Sequence, residues 1–135
     1  MRPLGLIAAF LLAGAASAQE FTIFKVVGKN AARVDAVLGK PLSVGQGGSF
    51  REYTTKRSSW YVTFTKGIAS ASTVTFRTAF TTPEQALKAI GIQLGSAKLS
   101  KTNILLRRWE KVAGLGSVEV QSLDGKRWET IEVTK

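Results

Sequence analysis

The chain has 135 residues, with 19 lysines and arginines against 9 aspartates and glutamates, a formal net charge of +10, and neither histidine nor cysteine. Without imidazole or thiol it lacks the usual general base, thiol nucleophile and soft metal ligands, and no disulfide can staple it. The positive excess favours anionic partners such as nucleic acid, acidic lipid headgroups or cell-envelope polymers.

Arg2, the apolar stretch Leu4 to Ala16 and the triplet Ala16-Ser17-Ala18 read as a secretory signal peptide over residues 1–18. The stretch is shorter than the about 20 residues a spanning helix needs, and no later segment approaches that length. No cysteine follows it for lipid attachment. The expectation is an exported, soluble chain, periplasmic or extracellular, beginning near Gln19 after cleavage at Ala18. That leaves 135 − 18 = 117 residues, one domain's worth, with 18 basic and 9 acidic side chains once Arg2 is removed.

Phe21 to Val27 is apolar and β-branched and predicts a first strand. After Gly28-Lys29, Asn30 is placed to cap a helix in which Ala31, Val34, Val37 and Leu38 share one face, ended by Gly39 and Pro41. Lys40 to Ser49 contains Gly45, Gly47 and Gly48 but matches no phosphate-binding fingerprint, so it reads as a connection. Phe50 to Thr54, Ser59 to Thr65 and Thr73 to Phe80 follow as strands. In them Trp60, Val62, Phe64, Val74 and Phe76 alternate with Tyr61, Thr63, Thr65, Thr73 and Thr75. One face is apolar and the other threonine-rich, the pattern of an antiparallel sheet covered on one side. Thr82-Pro83-Glu84-Gln85 opens a second helix: threonine caps, proline takes the first helical position and Gln85 completes a capping box. Ala86, Leu87 and Ile90 form its apolar stripe and Gly91 ends it. Gly95 to Asn103 reads as a polar loop, Ile104 to Val112, Ser117 to Ser122 and Trp128 to Thr134 as strands, and Asp124-Gly125 as the last hairpin turn.

The second set of elements repeats the first. Ala36-Val37-Leu38-Gly39 answers to Lys88-Ala89-Ile90-Gly91, and Arg51-Glu52-Tyr53 to Arg107-Arg108-Trp109. Val62-Thr63-Phe64 likewise answers to Val118-Glu119-Val120, and Thr73 to Phe76 to Thr130 to Val133. The fold class that follows is α+β: two tandem α-β-β-β units, residues 19–81 and 82–135. Together they form one domain, a mostly antiparallel sheet with two short helices on one face.

Val27-Gly28-Lys29, Val34, Leu38-Gly39-Lys40-Pro41, Tyr53, Val62-Thr63-Phe64 and Lys66-Gly67 give the first half a further significance. In these residues it resembles the SmpA/OmlA-like domain shared by a small outer-membrane assembly lipoprotein and β-lactamase inhibitory protein. The resemblance implies a non-enzymatic, extracytoplasmic interaction domain, whose tandem copies form a concave sheet that grips another protein. The lipid-attachment cysteine of the lipoprotein and the disulfide cysteines of the inhibitor are absent here, and no partner-contacting residue carries over.

The carboxylates are scattered. Glu119 and Glu132 are expected to approach one another on the open face of neighbouring strands, where a surface charge pattern accounts for them. No acidic cluster has calcium-loop spacing. The expectation is a protein with no catalytic residues, no metal and no cofactor. The feature with the strongest claim to function occurs three times: paired cations just ahead of an aromatic, in Lys56-Arg57 before Trp60-Tyr61, Arg107-Arg108 before Trp109, and Lys126-Arg127 before Trp128. Cations neutralise phosphates, and aromatic faces stack bases. Trp60 and Trp109 have the parity of core residues, whereas Trp128 opposes Ile131 and Val133 and is expected outside beside Lys126 and Arg127. The candidate polyanion site is therefore Lys126, Arg127, Trp128, Arg107, Arg108, Lys56, Arg57 and Tyr61. Two functions follow: a binding module for a polyanion (DNA or another nucleic acid, or an anionic envelope polymer or lipid), or an adaptor or inhibitor gripping an extracytoplasmic protein with the open sheet face.

Overall fold

Residues 22–135 are described by a computed structural model; the expected signal peptide, and Phe21 of the expected first strand, lie outside them. The chain forms helix α1 (Ala31–Leu38) and strands β1 (Ser43–Val44), β2 (Phe50–Thr54), β3 (Ser58–Thr65) and β4 (Ile68–Phe80). Helix α2 (Pro83–Ala89) and strands β5 (Lys98–Asn103), β6 (Leu106–Val112), β7 (Leu115–Ser122) and β8 (Trp128–Thr134) follow. All eight strands join one antiparallel sheet in the order β1-β2-β3-β4-β8-β7-β6-β5. The order is a palindrome: each half is a meander, and the two meet along β4 and β8. Among the described residues no helix is long and apolar enough to cross a membrane.

The local chemistry expected at the helix ends is present. Asn30 Oδ1 accepts from Arg33 N at 3.0 Å, and Gly39 closes α1 at φ +93°. Thr82 Oγ1 accepts from Gln85 N at 3.2 Å, with Pro83 in the first turn. The capping box differs in one respect. Gln85 Oε1 accepts from the backbone N–H and hydroxyl of Thr81, at 3.2 and 2.7 Å, so it reaches one residue beyond the cap.

Three expected elements change character. The first is the Lys40 to Ser49 connection, which contains β1; with β5 in the second half, each half has four strands rather than three. The apolar run near Val27 forms a 3-10 turn, Ile23–Lys25, rather than a strand. Its buried residues, Ile23, Val26 and Val27, are spaced three and four apart, which suits a helical turn pressed on the core. Ile23 N donates to Ile90 O at 2.9 Å, tying the two halves together. The polar segment expected as a loop contains β5, an edge strand whose six residues are all exposed. Its pairing with β6 comes from backbone hydrogen bonds, and with neither face buried it lacks the alternation by which strands are read. A bulge interrupts it between Leu99 and Lys101.

The core lies between the helices and one sheet face. Trp60, Val62, Phe64, Val74, Phe76, Trp109, Val118, Val120, Ile131 and Val133 point inward from the strands, and Val34, Leu38, Ala86 and Leu87 meet them from the helices. Helix α2 packs on β4, β7 and β8 and so lies across the seam between the halves. Burial at about 25 cal/mol per Å² of apolar surface drives this assembly. An ionic clamp fixes α1: Asp35 accepts from Arg51 Nη1 at 2.9 Å and from the Tyr53 hydroxyl at 2.6 Å.

Trp128 is a correction. It is 3% exposed and belongs to the core. Thr130 pairs with Gln121 while Trp128 pairs with Ser122, so Glu129 is an extra residue in β8. The bulge inverts the alternation and turns Trp128 to the same side as Ile131.

Candidate functional site at one end of the sheet

Antiparallel order brings distant cations to one end of the sheet. The β2–β3 turn carries Lys56 and Arg57, β4 ends there with Arg77 to Phe80, and the β7–β8 turn carries Lys126 and Arg127. Only β4 separates β3 and β8, the strands that begin at these two turns. Arg77 stiffens the first turn: its Nη2 donates to Thr55 O at 2.8 Å and its backbone N to Arg57 O at 2.9 Å. A cavity of about 480 Å³ opens beside it, lined by Lys56, Arg57 and Arg77 over Phe76, Phe80 and Ala89.

The β7–β8 turn is bonded to itself. Asp124 Oδ1 accepts from the backbone N–H groups of Lys126 and Arg127, each at 2.8 Å, and Oδ2 from Arg127 Nε at 2.9 Å. These three bonds hold the Asp124 carboxyl well below the usual carboxylate range. Ser122 Oγ accepts from Gly125 N at 2.8 Å and donates to Arg127 O. Part of the Arg127 charge is thus balanced inside the turn, while Lys126 stands exposed.

Arg107 comes to the same end by a different route. Its guanidinium lies 5.1 Å from the Trp128 ring centroid and donates to the carbonyls of Asn103 and Leu106. The aromatic of the third group is therefore stacked internally with a cation of the second, and Trp128 serves as the floor for Arg107 rather than as a face for a ligand.

The remaining two candidates lie apart from this end. Arg108 is on the open face, where Nε meets Glu110 Oε2 at 2.6 Å and Nη1 meets Glu119 Oε1 at 3.6 Å. Tyr61 is on the same face, further along β3, its ring 5.0 Å from that of Phe50 in a stacked pair. The face itself is not basic. One register row crosses it through Glu52, Tyr61, Thr73, Glu132, Glu119 and Arg108. Glu119 and Glu132 sit opposite one another, as expected, and Gln121 Nε2 donates to both at 2.7 Å. Among the described residues no cluster of three or more acidic side chains is arranged to hold a metal ion.

Sequence reasoning did not single out Arg77, which it read only as a strand residue. Nor did it single out three aliphatics at this end: Ile104 is 73% exposed, Leu105 42% and Leu123 87%. The strand expected over Ile104 to Val112 in fact starts at Leu106, so only Leu123, beside the expected Asp124-Gly125 turn, carried a signal, since leucine is a poor turn former.

No protein-family model and no curated protein matches the chain. Among solved structures it has partial similarity to a cysteine-rich secretory protein from Staphylococcus aureus, with a TM-score of 0.47 and 13% identity. The similarity covers 87% of this chain and 47% of that one, so the chain spans about half of its length.

Proposed function

We propose that the protein is a non-catalytic, exported binding module that takes a polyanion, nucleic acid or an anionic envelope component, on the basic end of its sheet. The observation that carries this reading is the gathering of Lys56, Arg57, Lys126 and Arg127 in two turns and of Arg77 near the end of β4 at one end of the sheet, with Asp124 the only carboxylate in those turns. Glu52, Glu110, Glu119 and Glu132 populate the open face instead. Such a charge distribution orients an anion toward the end of the sheet, and the cation-lined cavity beside Arg77 gives it relief to bind against.

The test is fluorescence anisotropy of residues 19–135 with single- and double-stranded DNA over a salt series. Engaging about four phosphates costs roughly a hundredfold in affinity between 50 and 200 mM salt. Lys56→Glu combined with Lys126→Glu should weaken binding at least tenfold at low salt. No binding of DNA or of anionic vesicles at any salt would overturn the reading.

A second reading has its own observation, the Phe50–Tyr61 stack standing on a broad hydroxyl-rich face. Together with the resemblance of the first half to SmpA/OmlA-like domains, it suits an adaptor that grips a protein. Under that reading an envelope extract yields one stoichiometric partner retained at high salt, and Tyr61→Glu releases it. Loss of the partner at moderate salt would count against it.

A further inference from the structure

The same end of the sheet is apolar as well as basic on the side of the second repeat. The β5–β6 turn presents Ile104 and Leu105, and the β7–β8 turn presents Leu123; these three are among the exposed large hydrophobic side chains. Their exposure is held in place by the backbone. Leu105 N donates to Asn103 Oδ1 at 2.9 Å within its own turn, and Ser122 N donates to Leu105 O at 2.8 Å across to the next. The turns touch at Gly125: at φ +81° a side chain there would be strained, and its Cβ would come within 2.8 Å of Ile104 Cγ1 and 2.9 Å of Ile104 O. With Asp124 and Ser122 locking the second turn, Leu123 is held outward rather than folded back.

Lys126 and Arg127 follow in the same turn as Leu123, and Arg107 packs at the base of the other turn on Trp128. Soluble polyanions use the cations but gain nothing from aliphatic side chains, and a nucleic acid can take them only by unstacking its bases. An anionic bilayer uses both, because acyl chains take the aliphatic side chains while headgroup phosphates meet the cations.

We infer that the two turns form a bilayer-docking tip, with Ile104, Leu105 and Leu123 entering the headgroup–acyl boundary of an anionic membrane and Lys126 and Arg127 held at its surface. This rests on the polyanion reading above and specifies its ligand. It also divides the labour between two signals that are weak separately: the cations draw the protein to the surface, and the aliphatics retain it when salt screens the charge.

The test is flotation of residues 19–135 with vesicles of phosphatidylcholine alone or containing 30 mol% phosphatidylglycerol. The wild type should bind the anionic vesicles at 150 mM salt and bind neutral vesicles at least tenfold more weakly. Leu123→Glu and Ile104→Glu, checked for an unchanged thermal midpoint, should each lose tenfold or more of the anionic binding. Leu123→Trp should show a blue-shifted emission on these vesicles and quenching by brominated acyl chains. Vesicle binding that is charge-dependent yet untouched by both glutamate variants, with no response from the tryptophan, would overturn the tip while leaving the polyanion reading intact. So would DNA binding without vesicle binding. A concentration-dependent dimer abolished by Leu123→Glu, with no vesicle binding, would assign the aliphatics to a second copy of this chain. Binding to neither DNA nor vesicles would remove both proposals.

Discussion

At the scale of single residues, the arginines show how one position serves two purposes. Arg51 and Arg107 occupy equivalent places in the repeat. Arg51 pairs with Asp35 on α1, beside the Tyr53 hydroxyl, whereas Arg107 lies on the Trp128 ring. Trp109 stands where Tyr53 does and has no hydroxyl, so the second half replaces a polar clamp by a stack. The clamp has a pH signature. Burial, then the hydrogen bond to Asp35, pushes the Tyr53 phenol above the usual tyrosine range. Its pKa is raised in the folded state, so the stabilisation is fully present below pH ~10 and fades as the unfolded chain ionises above that. Tyr53→Phe should therefore cost about 1–2 kcal/mol near neutrality. The gap to wild type should narrow as urea unfolding is followed from pH 9 to 11; a constant gap would show that the hydroxyl is not so held.

At the scale of elements, the strands and helices were legible where burial is one-sided. In β3 the alternation Trp60-Val62-Phe64 against Tyr61-Thr63-Thr65 reads directly, because each residue has only two directions to face. Asn30 and Thr82 marked their helices because a free backbone N–H needs an acceptor. What failed was parity across an irregularity. The bulge at Glu129 is a one-residue change in pairing that leaves no mark on composition, and it reverses the side on which Trp128 lies. All three tryptophans are consequently buried. The native protein should emit at short wavelength and resist iodide quenching. Trp128→Ala should destabilise it by about 3–5 kcal/mol. Strong iodide quenching of wild type that Trp128→Phe abolishes would put this side chain back outside.

At the scale of the whole molecule, total charge was plain from the sequence and its distribution was not. The cation pairs at Lys56 and Lys126 are 70 positions apart in the chain, by subtraction, and only the palindromic strand order brings both to one end. Arg108 reads like its neighbours in sequence, yet it is spent on Glu110 and Glu119. The candidate site was thus half visible: Lys56, Arg57, Lys126 and Arg127 share an end, with Arg107 packed beneath it on the buried Trp128, while Arg108 and Tyr61 lie on the open face. Arg77 and the aliphatic turns emerged only once topology had placed them.

The palindrome has one more consequence, at its margins. A sheet that does not close ends in strands with an unused row of donors and acceptors, and here the longer margin is β5, six residues and fully exposed. Its bulge breaks the row after Leu99, and Lys98 and Lys101 flank the break. These are the devices that deter an incoming strand from another molecule. Lys98→Thr with Lys101→Thr should leave the monomer folded but let it seed chain-to-chain polymers, visible as rising light scattering on storage. A variant that stays monodisperse would mean the bulge alone guards that margin.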